Sequence, residues 1–212
     1  MKILTPRFLC ALLLGLLCAC QSQIEALPLP LPDLKVGIAP FTQPTQATEL
    51  LAGFVPEAQG RIPTGAGQEL DDTLAEKLKR TGRDYTFLPP GAVQGPLLED
   101  GQGRRSALAT WIQHAREADV DVLLVPQVIH WQERVGGEAG VVSPAAVIID
   151  YFLVDARDHG ALLQRSHYAV QQQALADNLF TIKAFFQRGG KWVSAAELAE
   201  ESMDKAIKEL GL

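Results

Sequence analysis

The sequence predicts an α/β (α+β) domain: a mixed β-sheet covered by helices, with a long β-hairpin and two C-terminal helices. Three observations lead there. Apolar residues repeat every third or fourth position in some stretches, and they alternate or run continuously in others. The two kinds of stretch interleave in the order strand, helix, strand, helix, strand, hairpin, helix, helix. Two long strand-like arms, Val147 to Asp155 and Ala161 to Val170, flank a compact turn at Arg157-Asp158-His159-Gly160. A sheet whose apolar faces need amphipathic helices is the layered arrangement that buries such an order.

Each element has a local reason. Lys35-Val36-Gly37-Ile38-Ala39-Pro40-Phe41 opens the domain as a strand. From Thr42 to Ala66 no period emerges, and Pro44, Gly53, Pro56, Gly60, Pro63 and Gly65 break the stretch into an excursion with room for one short helix. Over Gly67 to Arg80, Leu70, Leu74 and Leu78 form an apolar stripe among charged residues, which predicts a helix. Tyr85 to Leu88 reads as a strand closed by Pro89-Pro90-Gly91. Ser106 to Ala118 reads as a helix facing inward with Leu108, Trp111, Ile112 and Ala115. Val120 to Val125 suits a central strand, and Pro126, which has no N–H to donate, calls for an edge or a bulge. Ile129, Trp131, Glu133 and Val135 then alternate with His130, Gln132 and Arg134. This predicts one long bent strand, or two in sequence, whose later part lies on an exposed surface. After the hairpin, Asp177 to Phe186 is a helix stopped by Gly189-Gly190. Ser194 and Glu197 form a capping box for the last helix, which faces inward with Ala199, Met203, Ala206 and Leu210.

The N-terminus has a different character. Lys2 and Arg7 precede a leucine-rich run too short to span a bilayer, and the run ends in Leu17-Cys18-Ala19-Cys20. The pattern resembles the lipobox of bacterial lipoproteins, in which the cysteine becomes the lipidated N-terminus; a secretory signal with two incidental cysteines is the alternative. The resemblance implies diacylglyceryl and acyl attachment at Cys20, and more than one chain is what stable anchoring requires. Gln21 follows Cys20 where inner-membrane retention in enteric bacteria uses aspartate, which favours the outer membrane. The chain divides into a leader over 1–19, the lipidated cysteine with a Pro-rich tether over 20–34, and one periplasmic domain over 35–212. Leu27-Pro28-Leu29-Pro30-Leu31-Pro32 favours an extended spacer.

Composition narrows the function classes. The formal charge is -6, and two of the positive charges, Lys2 and Arg7, belong to the leader, so the basic footprint of a nucleic-acid binder is missing. All three cysteines fall in the leader or at the lipid site, which leaves the mature chain no disulfide, thiol nucleophile or cysteine metal ligand.

Lys35 to Phe41, Ala118-Asp119-Val120-Asp121-Val122-Leu123-Leu124-Val125 and the Tyr151-Phe152-Leu153-Val154-Asp155-Ala156 arm, in this order behind a lipobox, resemble a broad class of periplasmic lipoprotein domains. That class includes the curli secretion channel lipoprotein, the outer-membrane activator of a penicillin-binding protein and a group of meningococcal surface antigens. Its fold is also similar to the N-terminal domain of the Tol-Pal propeller protein. The resemblance spans roughly residues 35–210. It implies a helix-covered mixed sheet and a role in binding proteins or assembling as an envelope scaffold, with no catalytic residues to transfer.

The residues themselves supply no complete catalytic set, no metal site and no cofactor. His114 borders a packed helix face and His159 sits in the hairpin turn. His130 and His167 lie in strands where they could pair, but no third ligand has a definable position. Pro63-Thr64-Gly65-Ala66-Gly67-Gln68 lacks the Gly-Lys-Ser/Thr ending of a phosphate loop. Asp71-Asp72 diverge on a helix, Asp119 and Asp121 straddle a strand start, and Gly101-Gln102-Gly103-Arg104-Arg105 reads as a solvated loop. Ser106 and Ser194 have no base beside them.

The remaining surface favours contact with an envelope protein or a second copy of the chain, besides the membrane reached through the lipid. The expected contacts are His130, Trp131, Glu133 and Arg134 on an exposed strand edge, with Asp158 and His159 in the neighbouring hairpin turn. Trp131 and Trp192 admit a second reading, as part of the domain's own core. The competing function is an anchored envelope enzyme or small-ligand carrier with a pocket near His130 and His167.

Overall fold

The computed structural model of the chain describes residues 31, 33–90, 95–137, 140–171 and 191–212. The leader, Cys20, most of the tether and the helix expected over 177–186 lie outside the described residues.

The strands are β1 (Val36–Ile38), β2 (Tyr85–Phe87), β3 (Val122–Gln132), β4 (Val135–Gly136), β5 (Val141–Ser143), β6 (Ala146–Asp155) and β7 (Ala161–Gln171). The helices are α1 (Ala66–Lys79), α2 (Ala107–Glu117) and α3 (Ala195–Leu210). Five strands form one sheet in the order β2-β1-β3-β6-β7, while β4 and β5 make a separate two-stranded hairpin. β2, β1 and β3 run parallel; β3, β6 and β7 run antiparallel. The sheet is mixed and helix-covered, an α+β fold.

One face is closed by α1 and α3. Leu70, Leu74 and Leu78 of α1 and Leu198, Met203 and Leu210 of α3 pack on Val122, Leu124, Val147, Ile149, Tyr151 and Leu153. Alternation along the strands places these residues on one side. The buried Tyr151 hydroxyl lies 2.7 Å from Ser202 Oγ, which in turn reaches the Ala199 carbonyl at 2.6 Å. Burial pushes the Tyr151 phenol above its ordinary range. The Ser194–Glu197 capping box starts α3, and Gly211 ends it in the left-handed conformation.

The other face carries α2, whose Trp111, Ile112 and Ala115 pack on Leu123, Val125, Phe152 and Val154. Gly37 belongs to this close packing, because a Cβ there would meet Val120 Cγ2 at 2.8 Å.

Three details depart from expectation. Pro126 lies inside β3, paired with Tyr151, at neither an outer strand nor a bulge. It is tolerated because β1 ends at Ile38. On that side Thr42 bonds around the proline, its N–H donating to the Pro126 carbonyl at 3.2 Å and its carbonyl accepting from Val128 N at 2.8 Å. Of the stretch expected on an exposed surface, Glu133 and Val135 are exposed, but a register shift between Val128 and His130 sets Trp131 opposite Val147, in the core. Leu31, within the stretch assigned to the tether, is 3% exposed and packs into the α1/α3 core.

Candidate functional site

Helix α2 covers only part of its face. Beyond Val125 and Phe152, that face meets the irregular segment from Thr42 to Ile62, and polar side chains hold the segment in place. Gln127 Nε2 donates to the Glu49 carbonyl at 2.9 Å, and its Oε1 accepts from Leu51 N at 3.2 Å. Gln59 Nε2 reaches the Pro44 and Ile129 carbonyls, and Gln43 joins the Gly60 carbonyl to the Ile62 N–H. Gly60 lies flat on β3. Its N–H donates to His130 Nδ1 at 3.0 Å, its carbonyl accepts from Trp131 N at 3.2 Å, and a Cβ would fall 2.0 Å from the Trp131 carbonyl oxygen. Backbone this close to backbone admits only glycine.

The same row of the sheet holds a buried acid. Gln127, Asp150 and His167 are direct cross-strand partners on β3, β6 and β7. The Asp150 carboxylate accepts from Arg165 Nε at 2.9 Å and Nη2 at 2.8 Å, and His167 Nδ1 stands 2.6 Å from its Oδ1. A bidentate guanidinium and an imidazole are the compensation a buried carboxylate requires. Among the described residues, the partners of the His167 imidazole are Asp150 and Arg165, and the group ties β6 to β7.

A cleft of about 440 Å³ opens between α2, residues 42–49 and residues 95–98. Gln43, Glu49, Trp111, His114, Glu117 and Gln127 line it, with no Lys or Arg among the described residues of its wall. Glu117 is engaged by Gln113 at 2.9 Å and faces His114 Nδ1 at 3.5 Å. Glu49 closes its own short turn, with Oε2 accepting from Thr45 N at 2.6 Å. Neither His130 nor His167 lines this cleft. β6 lies between their strands, and each imidazole Nδ1 is already engaged, by Gly60 and Asp150 respectively.

The expected contact residues separate. Trp131 is 3% exposed and cannot present its ring to a partner; its Nε1 donates to Glu133 Oε1 at 2.8 Å. The strand edge beside it is not free, because Gly60 occupies it. Arg134 is half-buried and donates through Nη1 to the Trp192 carbonyl, and Trp192 is itself buried. Glu133, Asp158 and His159 are exposed.

The two stretches are not neighbours. Val122 pairs with Asp155 and Gln132 with Ala146, so the 156–160 turn and residues 130–134 sit at opposite ends of an eleven-residue strand. At about 3.4 Å per residue they are roughly 30 Å apart. Arg116 fixes the turn to α2 through the Ala156 carbonyl at 2.9 Å and the Asp158 carbonyl at 2.8 Å.

What projects beyond residue 132 is the β4–β5 hairpin. Gln132 Nε2 anchors its base through Ser143 Oγ at 3.0 Å and the Pro144 carbonyl at 2.8 Å. Val135 is 56% exposed, Val142 is 88% exposed, and neither belongs to a described core cluster.

The roles of two acids could not be read from the sequence. Asp150 is a lone acid inside Val147-Ile148-Ile149-Asp150-Tyr151-Phe152, and an acid amid that run is itself the signal of a compensated burial. Asp71 accepts the Phe41 N–H at 2.6 Å and so fixes the chain just after β1. Desolvation raises its carboxyl to about 6. No motif marks it, because its partner lies 30 residues away. The Arg104-Arg105 loop agrees with its reading as a surface loop: Arg104 is ion-paired with Asp100 at 3.0 Å, and both side chains reach solvent.

No protein-family model and no curated protein matches the chain. Solved structures similar to it include the PelC dodecamer from Paraburkholderia phytofirmans, 15% identical over 83% of this chain and 86% of that one, with a TM-score of 0.46. Lipoprotein GNA1162 from Neisseria meningitidis is 14% identical over 74% of this chain and 98% of that one, with a TM-score of 0.38. The LpoB C-terminal domain from Salmonella enterica is 15% identical over 65% of this chain and 83% of that one, with a TM-score of 0.35.

Proposed function

We propose that the chain is an outer-membrane-anchored periplasmic lipoprotein. It acts without catalysis, binding an envelope protein or a second copy of itself through the end of the sheet that carries the β4–β5 hairpin. The observation that carries the binding reading is the pair Val135 and Val142, both exposed on a hairpin that Gln132 holds in place and that adds nothing to the core. Scattered apolar residues on a surface are ordinary. Two on one anchored projection, near exposed Glu133, offer a partner apolar surface beside a charge. The anchoring part rests on Leu17-Cys18-Ala19-Cys20 and the following Gln21.

The test is the double variant Val135→Glu/Val142→Glu in the lipidated protein. Crosslinked capture of the partner in cells should fall several-fold while circular dichroism and unfolding stay unchanged, because neither side chain supports the core. Undiminished capture would remove the hairpin as the contact.

The cleft beside α2 favours a second reading, a small-ligand carrier. Its described lining includes the carboxylates Glu49 and Glu117, with His114 and neither lysine nor arginine, so such a ligand would be a cation or a hydrogen-bond donor. Glu117→Gln should then weaken ligand binding and leave capture of the protein partner intact.

A further inference from the structure

The geometry points to a defined orientation of the domain at the membrane. The end of the sheet holding Leu31, Lys35, Asp119 and the 156–160 turn faces the phospholipid surface, and the β4–β5 hairpin faces away. This inference rests on the reading that Cys20 carries lipid. Its basis is the way the chain enters the domain.

Leu31 is buried against the α1/α3 core. Arg83 Nη2 donates to the Leu31 carbonyl and, at 2.8 Å, to the Leu34 carbonyl. The Leu34 N–H turns back to the Leu31 carbonyl at 3.2 Å, and the Lys35 N–H donates to Asp121 Oδ2 at 2.8 Å. The entering segment is therefore fastened, before β1 begins, at one place.

That place is the Val122 end of β3, because Val36 pairs with both Val122 and Tyr85. The same end receives the turn of the β6–β7 hairpin, since Val122 pairs with Asp155. Between Cys20 and Leu31 the chain reaches at most about 40 Å when fully extended. The hairpin lies roughly 30 Å farther along the sheet. A short leash fastened at one end keeps that end nearer the bilayer.

The two ends differ in chemistry. The membrane-facing end is polar and charged, with the ion pairs Lys35–Asp119 at 2.6 Å and Arg157–Asp155 at 2.8 Å and the further acids Asp121 and Asp158 beside them. Val135 and Val142 stand at the far end, directed toward whatever lies in the periplasm.

The experiment uses the lipidated, full-length protein in vesicles of phosphatidylethanolamine and phosphatidylglycerol containing a headgroup-labelled energy acceptor. Cys10 and Cys18 leave with the leader and Cys20 is thioether-linked, so His159→Cys or Val142→Cys supplies a single free thiol for a donor dye. Transfer from position 159 should exceed transfer from position 142 several-fold. Equal transfer, or the reverse order, from vesicle-bound protein would overturn the orientation while leaving the anchor intact. Failure of the wild type to float with vesicles, or flotation of Cys20→Ala as well as the wild type, would instead remove the lipid anchor and the orientation with it. Arg83→Met should narrow the difference between positions by freeing the entering segment. If that variant does not fold, the comparison of positions 159 and 142 still decides.

Discussion

The two faces of the sheet are covered by different physics. On one face α1 and α3 lay continuous apolar stripes on β1, β3 and β6, and burial of side chains such as Leu74, Leu78, Leu198 and Met203 supplies the stabilisation. On the other face α2 covers the Val122 half, and beyond it an irregular segment is held by Gln43, Gln59, Gln127 and His130 through hydrogen bonds to backbone. Apolar contact is non-directional and tolerates small shifts. The glutamine bonds are directional and fail one at a time. The first face should therefore govern global stability, and the second should set local order around the cleft.

The largest expected effect comes from the first face. Leu74 is 2% exposed, and Leu74→Ala should cost about 2–5 kcal/mol in equilibrium unfolding, spread over the whole transition. A cost below about 1 kcal/mol would show that α1 is not packed as described.

Gln127→Ala should cost about 1–3 kcal/mol, because the Leu51 N–H and Glu49 carbonyl both lose their side-chain partner. Hydrogen exchange should locate that loss in residues 43–62 and leave α1 and α3 protected. Exchange rising equally on both faces would break the distinction between them.

Asp71 gives a smaller effect with a definite pH window. Its ordinary value is 3.8 and the folded chain holds the proton up to about 6. Between those values the folded state binds more protons than the unfolded state, so this contribution is complete below about 4 and is lost as pH rises through about 6. Asp100, Asp155 and Glu197, whose carboxyls are held below their ordinary values by hydrogen bonds and ion pairs, act in the opposite sense and at lower pH. Asp71→Asn keeps an oxygen to accept the Phe41 N–H. It should flatten the decline between pH 4 and 6 and raise stability at pH 7 by on the order of 1 kcal/mol, after allowance for its partial exposure. An unchanged pH profile would contradict the desolvated carboxyl.

The same contrast explains what could be read in advance. The α1 stripe, the Ser194–Glu197 box and the Arg157–Gly160 turn are local, so spacing alone reveals them. The α2 face was half legible: Trp111, Ile112 and Ala115 mark the helix, but residues 42–62 have no period, and Gln127 meets Glu49 across 78 positions. Trp131 belongs to the core, as its second reading had it, and its reading as a contact failed for a one-residue reason. The register shift after Val128 reverses which side chains face the core, and alternation read without it places the indole on the wrong side. The candidate contact surface suffered further, because residues 130–134 and 158–159 are near in neither sequence nor space.

The central claim is that the hairpin end, not the cleft, meets a partner. The direct measurement places a photo-crosslinking residue at position 142, at position 98 on the rim of the cleft, or at position 159 in the opposite turn, each in the native lipidated protein within cells. The account predicts a discrete crosslinked protein, or a crosslinked second copy, from position 142 and none from position 159. Crosslinks from position 98 or 159 with none from position 142 would contradict it.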